Sequence, residues 1–185
     1  MRVLGGDLGI RGGLTIVETD ATGITTIVDS IDVPTLGSGP KERVAVHVLQ
    51  EWLLRHGPLL AYLERAQAMP KQGASSGFKY GRAVGQIEAT VALCNAAIEI
   101  VEPSKWKQHF RLPGKDKEAA RQRAISTWPN AQHFFTRKKD HGRAESALIA
   151  LYGLQYSRLH VGTPPPGAQP GSIDSNITQR ELQNE

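Results

Sequence analysis

The chain has 185 residues, of which 39% are hydrophobic and 22% are charged, and it contains one cysteine. This length suits one domain with a buried core, and no apolar run approaches the roughly 18 residues that cross a bilayer. A single cysteine excludes a disulfide framework and a multi-cysteine zinc site, and we expect Cys94 to be a buried thiol. The N-terminus turns polar too quickly for a signal peptide, so we expect a cytoplasmic protein.

Positive charge is concentrated in one part of the chain. The formal net charge is +4, and residues 101–143 contain eleven basic residues against four acidic ones. Such a stretch indicates a polyanionic partner, although a solvated basic face is an equally good explanation. Residues 161–185 are rich in Pro, Gly, Ser, Gln and Asn, and we expect them to form a disordered tail after a domain of residues 1–160.

The first half of the chain predicts strands around one helix. Residues 1–7 are a short apolar segment, and residues 13–18 and 24–30 are β-branched. Together they predict an antiparallel three-strand meander, with a turn at residues 20–23. Apolar spacing over residues 41–56 predicts a helix that Gly57 and Pro58 end. The apolar run 59–63, which ends at Glu64, predicts a buried strand of the parallel type.

The second half predicts helices and one further strand. A Gly/Ser-rich segment, 73–77, precedes a predicted helix over 78–95, and residues 97–101 predict a strand. We expect residues 103–117 to be irregular, 118–127 to form a short helix, and 142–159 to form a last amphipathic helix. This order predicts an α/β fold, with a mixed sheet of antiparallel meander and parallel strands flanked by helices, and it resembles the ribonuclease H-like superfamily.

Two acidic residues stand at the ends of predicted strands. Asp7 closes the first strand before Leu8 and Gly9, and Glu64 ends the apolar run. If these strands are parallel neighbours, the two carboxylates meet at one end of the sheet. Each residue also has a simpler interpretation, a turn residue for Asp7 and a surface ion pair beside Arg65 for Glu64.

A third group of polar residues opens the last helix, where residues 140–145 are DHGRAE. Glu145 interrupts an apolar series, and a lone carboxylate buried there would be costly. Asp140 is also placed to cap the helix, and His141 shares a helix face with Glu145 as a proton shuttle, an extra ligand or a cap. Carboxylates from two strand ends and a helix are the oxygen ligands that two Mg²⁺ ions need to cut phosphodiester bonds.

These motifs resemble the RuvC-type Holliday junction resolvases, in particular their short phage-like or prophage-like branch. The resemblance rests on Asp7-Leu8-Gly9, on Glu64 at a strand end and on residues 140–151, and it spans residues 1–158 in order. It implies a ribonuclease H-like fold, a homodimer, dependence on Mg²⁺ or Mn²⁺, and symmetric nicking of four-way DNA junctions. It also implies that Asp7, Glu64 and Glu145 are metal-binding carboxylates.

The fourth position of this implied site is open. The last two ligands of the family, two Asp or a His and an Asp, lie about three residues apart, whereas Asp140 and His141 lie five and four residues before Glu145. We favour Asp140 because a carboxylate adds negative charge for the metal. The candidate catalytic residues are therefore Asp7, Glu64, Asp140, His141 and Glu145, with the four acids as ligands of two Mg²⁺ or Mn²⁺ ions.

Two segments combine aromatic and basic residues. Residues 78–82 (FKYGR) suit branched DNA, because aromatic rings stack on exposed bases and cations hold phosphates, although either ring also suits a core. Residues 103–107 (PSKWK) resemble a Pro-x-x-Trp-Lys segment of the family, in which we expect Trp106 in the core. The candidate DNA-binding residues are Phe78, Lys79, Tyr80, Arg82, Lys105, Lys107, Lys115, Lys117, Arg137, Lys138 and Lys139.

Three other functions compete with junction resolution. A ribonuclease H or flap-type nuclease would share the chemistry and differ in substrate. An actin-like ATP-binding protein is suggested by Asp7, Gly9, Gly12 and Gly13, which resemble a phosphate loop, but one copy in 185 residues is too few. A junction-binding protein without catalysis is disfavoured by the complete set of acids.

Overall fold

Seven strands are present in the computed structural model, which describes residues 1–57, 59–67, 73–114 and 116–159, with side chains up to Ser157. They are β1 (Arg2–Asp7), β2 (Gly13–Thr19), β3 (Thr25–Asp32), β4 (Thr35–Leu36), β5 (Arg43–Val44), β6 (Leu60–Glu64) and β7 (Ala97–Val101). Five of them form the central sheet in the order β3-β2-β1-β6-β7, and β4 pairs with β5 separately. The expected disordered tail, Pro58 and Lys115 lie outside the described residues.

The helices lie between and after the strands. They are α1 (Val46–His56), α2 (Ala74–Leu93), α3 (Pro103–His109), α4 (Lys117–Thr127) and α5 (His141–Leu159). Three 3-10 helices span Gly39–Lys41, Pro129–Phe135 and Lys138–Asp140. No described helix is long and apolar enough to cross a membrane.

The predicted α/β fold with a mixed sheet is confirmed. The strands β1, β2 and β3 pair antiparallel, and the turn between β2 and β3 is closed by the Gly23 amide, which donates to the Asp20 carbonyl at 3.2 Å. The strands β1, β6 and β7 pair in parallel. Cys94 is buried, as expected.

Three local predictions are wrong. The helix predicted from residue 41 begins at Val46. Residues 39–41 form a 3-10 turn, and Val44 is buried as part of the strand β5 and not as part of a helix. Residues 74–77 belong to α2. The first turn of this helix is closed by the Gly77 amide, which donates a hydrogen bond to the Gly73 carbonyl at 2.9 Å. Residues 103–109 form α3, because proline fits the first position of a helix.

The two faces of the sheet are covered by different helices. Leu4, Ala61 and Leu63 pack on the side of α1 and α2. Val3 and Tyr62 pack on the other side, with α3, α4 and α5. The helix α5 lies so close to β1 that a methyl group on Gly5 would overlap its backbone. The close approach brings the first turns of α5 beside the C-terminal end of β1.

Candidate active site

Asp7, Glu64 and Glu145 line one cavity of about 200 Å³. In the parallel pairing of β1 with β6, Gly6 lies opposite Leu63, so Asp7 and Glu64 follow on neighbouring strands at the same edge. Because side chains alternate along a strand, both acids belong to the face that α5 covers. Glu145 arrives from α5, so three elements distant in sequence bring the three carboxylates together.

Ionisation of Asp7 and Glu64 is made costly by their surroundings. Burial raises the pKa of Asp7 well above its usual value, and the negative charges of Glu145 and Glu64 raise it further, against the opposing effect of Lys117 and Lys107. Burial also raises the pKa of Glu64. Its shift is opposed first by the Trp106 indole N–H, which donates to Glu64 Oε2 at 2.6 Å. The cavity is therefore a place where an added positive charge is favoured.

Cations line the cavity without forming ion pairs to its acids. Lys107 and Lys117 share the lining with the three carboxylates. Among the residues that the structure describes, neither Asp7 nor Glu145 forms an ion pair or accepts a side-chain hydrogen bond, and no group of three or more His, Cys, Asp or Glu stands arranged to hold a metal ion. The three acids therefore lie at one edge of the sheet, but their carboxylates are not arranged around a single ion.

Asp140 is engaged elsewhere. Its side chain is 1% exposed, and its two oxygens accept hydrogen bonds from the Arg137 backbone amide at 2.7 Å and from Arg137 Nε at 2.8 Å. It forms a capping box with Arg137, the N-cap of the short 3-10 helix before α5, and does not line the cavity. His141, the other candidate for the fourth position, begins α5 and is not a lining residue either.

The position three residues before Glu145 is Gly142, and it has no room for a side chain. A methyl group there would lie 2.8–3.0 Å from the backbone of Arg11 and Gly12. The close contact between Gly142 and the β1–β2 loop sets where α5 begins. Gly142 therefore serves the packing of the helix start against this loop.

The candidate DNA-binding residues are divided among several surfaces. Lys107 and Lys117 stand in the cavity of the acids, and Lys79 and Tyr80 line the next one. Phe78 is 72% exposed and lines a third cavity with Arg82. Lys105, Lys138 and Lys139 are exposed and line none of these cavities, and Lys115 lies outside the described residues. Arg137 forms ion pairs with Asp32 and Asp140.

Sequence reasoning missed three features of the site. Trp106 is fully buried, as expected, but its hydrogen bond to Glu64 makes it part of the site. Asp116 lines the cavity and caps α4 by accepting from the Ala119 amide at 2.9 Å, in a segment expected to be irregular. The available signal was an aspartate, Asp116, just before the predicted helix of residues 118–127, because aspartate is a preferred N-cap residue.

Asp32 is the third of these features. It forms two hydrogen bonds with Arg143, at 2.8 and 2.9 Å, which join the end of β3 to the first turn of α5. No local pattern in β3 indicates this partner, which lies 111 residues away.

No family model and no curated protein matches the chain. Solved structures do match it. Thermus thermophilus RuvC matches with a TM-score of 0.61 and 20% sequence identity, over 86% of this chain and 96% of RuvC. The structure of T. thermophilus RuvC in complex with a Holliday junction substrate matches with a TM-score of 0.61 and 18% sequence identity, over the same shares of both chains. The fowlpox virus Holliday junction resolvase has 0.56 and 13% over 84% of this chain and 99% of the resolvase. The chain therefore has the ribonuclease H-like fold of the RuvC-type resolvases.

Proposed function

We propose that this protein is a metal-dependent endonuclease that resolves four-way DNA junctions by symmetric nicking. One observation carries the proposal. Asp7 and Glu145, which form no ion pair with another described residue, share with Glu64 a cavity that Lys107 and Lys117 also line. Acids with raised pKa values in a cleft are typical of functional sites. The fold and the basic stretch are consistent with a DNA substrate.

The donor set fits hard divalent cations. Three carboxylates from separate elements offer the oxygen ligands that Mg²⁺ and Mn²⁺ prefer. A cation also removes the repulsion that raises the pKa of Asp7. Asp7, Glu64 and Glu145 are the residues that would hold such ions. Two bound ions would supply an activated water and stabilise the leaving oxygen.

The other residues of the cavity hold the acids and the substrate. Trp106 binds one oxygen of Glu64 and leaves the other for a metal. Lys107 and Lys117 bind the phosphate to be cut and offset charge that builds up on it. We assign Asp140 to positioning the start of α5 through Arg137. His141 is then the remaining candidate for a fourth ligand or a proton carrier.

Junction resolution requires two incisions, and each chain carries one such cavity among its described residues. We therefore propose a homodimer, in which each subunit nicks one strand. Light scattering after gel filtration tests this directly, with twice the 20.1 kDa chain mass expected. A monomer that makes paired nicks would contradict it.

A set of matched substrates tests the activity. A synthetic four-way junction, a duplex, a flap and an RNA–DNA hybrid of shared sequence are incubated with Mg²⁺ or Mn²⁺. We expect paired, symmetric nicks in the junction, abolished by Asp7→Asn and Glu64→Gln. Glu51→Gln is the matched control, because Glu51 is exposed on α1 and lines none of the site cavities.

The result has two ways to fail. If the junction stays intact while the RNA–DNA hybrid is degraded, the protein is a ribonuclease H-type enzyme of the same fold and not a resolvase. Nicking that survives both Asp7→Asn and Glu145→Gln would remove the carboxylates from the chemistry altogether.

A further inference from the structure

Three cavities follow one another from the acids to α2. The cavity of Asp7 and Glu64 shares Asp7 and Lys117 with a second one, of about 390 Å³, between the β1–β2 loop and α2. The second shares Ile10 and Lys79 with a third, of about 270 Å³, between residues 40–43 and α2. The second and third cavities together form a groove, here named the α2 groove, that leads away from the carboxylates.

The far end of the α2 groove is positively charged. The basic residues that line the third cavity are Lys41, Arg43, Lys79 and Arg82. Its one acid is Glu42, which accepts a hydrogen bond from Arg11 at 3.1 Å and is thereby neutralised. Lys41 and Arg43 are exposed, and neither forms an ion pair with another described residue. Their charges are available for an anionic ligand.

The walls of the groove are held together by specific contacts. Lys79 Nζ donates to the Gly39 carbonyl at 2.9 Å, which ties α2 to the 3-10 turn before β5. The ion pair between Arg11 and Glu42 ties the β1–β2 loop to the same segment. Lys79 is therefore a wall residue, and Lys41, Arg43 and Arg82 are the cations left to bind phosphates.

Each cavity of the groove also has one aromatic ring. Tyr80 lines the second, where it lies against Gly9, and Phe78 lines the third with 72% of its surface exposed. Rings and cations in alternation suit an unpaired strand, whose bases are free to stack and whose phosphates face cations. In duplex DNA the bases are already stacked on each other, so an exposed ring gains little.

We propose that the α2 groove binds an unpaired strand of the DNA substrate as it leaves the carboxylates, with phosphates on Lys41, Arg43 and Arg82 and a base on Phe78. This inference rests on the proposed function, since it assumes that the strand is cut at Asp7. It adds the segment that contains Lys41 and Arg43 to the substrate-binding surface. The rings of Tyr80 and Phe78 beside these cations make the groove selective for an unpaired strand over fully paired DNA.

The test measures binding in the Asp7→Asn background, so that no strand is cut. Fluorescence anisotropy is recorded with a junction, a fork that has one unpaired arm, and a duplex, over a range of salt concentrations. The double variant Lys41→Ala/Arg43→Ala is compared with Arg2→Ala/Arg55→Ala, which removes the same charge from two exposed residues outside the groove. Circular dichroism establishes that both double variants fold.

We expect the groove variant to bind the fork about tenfold more weakly, and the slope of log K against log salt to fall by about 1.4, at roughly 0.7 per single-strand phosphate. Duplex binding should change less than twofold, as should fork binding by the control. Phe78→Ala should weaken fork binding by about tenfold with an unchanged slope, because stacking releases no counterions.

Each other outcome overturns the inference. Equal losses on fork and duplex would make the groove a duplex-binding surface. Fork binding equal to that of the control would exclude the groove, while nicking of the junction by the wild-type protein would leave the proposed function standing. Absence of junction binding and nicking by the wild-type protein would overturn both.

Discussion

Asp140 and Asp7 both belong to the group of acids that the sequence marks as metal ligands, yet the structure predicts opposite consequences of removing their charges. Asp140 is bonded on both oxygens to Arg137, whereas Asp7 shares a buried cavity with two other acids. The comparison of Asp140→Asn with Asp7→Asn therefore separates a positioning role from a metal-binding role.

The loss expected for Asp140→Asn follows from its bonds. Hydrogen bonds to charged groups contribute about 1.5–3 kcal/mol each. Arg137 is 45% exposed and keeps Asp32 as a second partner, so solvent screening reduces that contribution. We expect a loss of about 2 kcal/mol in the free energy of unfolding. At about 2–4 °C per kcal/mol for a domain of this size, Tm should fall by about 4–8 °C.

Asp7→Asn should raise Tm instead. Burial and the charges of Glu145 and Glu64 raise the pKa of Asp7, so the folded state holds its proton more tightly than the unfolded state. The contribution of Asp7 to stability is then greatest below the ordinary pKa of an aspartate and is lost as pH rises through the raised pKa. At neutral pH the charge of Asp7 opposes folding, and asparagine removes that opposition.

The assay is thermal unfolding with Mg²⁺ or with a chelator, beside junction nicking. Metal at 100 times its Kd adds about 2.7 kcal/mol to a protein that binds it only when folded. We expect the wild type and Asp140→Asn to show this gain, and Asp7→Asn to lose both the gain and the nicking. An Asp140→Asn variant that unfolds at the wild-type temperature but no longer responds to Mg²⁺ would refute the reasoning and make Asp140 a ligand.

Three further outcomes are expected. Gly5→Ala should cost about 1–3 kcal/mol or more, seen as a lower urea midpoint, because its methyl group overlaps the backbone of α5; a wild-type midpoint would contradict the close packing. Trp106→Phe removes the hydrogen bond to Glu64 and so raises the pKa of Glu64 further, which should move the acid limb of the pH profile of nicking to higher pH. The control Trp52→Phe should leave that limb in place, because Trp52 bonds to Asp29 instead. Wild-type nicking should fall as pH drops through the raised pKa of Asp7, since a protonated acid releases metal, and a flat profile would argue against the site.

Much of the frame is visible in the sequence because it depends on local patterns. The strands are predicted from neighbouring residues alone, by the apolar segment of β1, the β-branched segments of β2 and β3 and the apolar run before Glu64. The breaks in those patterns, at Asp7, Glu64 and Glu145, mark the three acids that the structure brings to one cavity. A charge at the end of a buried element is informative in a sequence because burial without a partner is costly.

The predictions that failed depend on partners distant in the chain. The helical spacing that begins at residue 41 does not form a helix before Val46, because residues 39–41 form a 3-10 turn and residues 43–44 pair with β4 as β5. Residues 103–109 appear irregular, yet α3 exists and places Trp106 on Glu64, 42 residues away. Local propensity is weak enough for such contacts to override it.

The fourth acid shows the same division most clearly. From the sequence, either Asp140 or His141 could complete a metal site beside Glu145, and the extra carboxylate charge favoured Asp140. Only the tertiary structure shows that Arg137 takes both oxygens of Asp140 and that Gly142 must pack against the β1–β2 loop. The sequence by itself determined which acids interrupt or end the apolar patterns of buried elements. Their partners depended on the packing of α5 on β1, because that packing sets which charges lie within reach of one another.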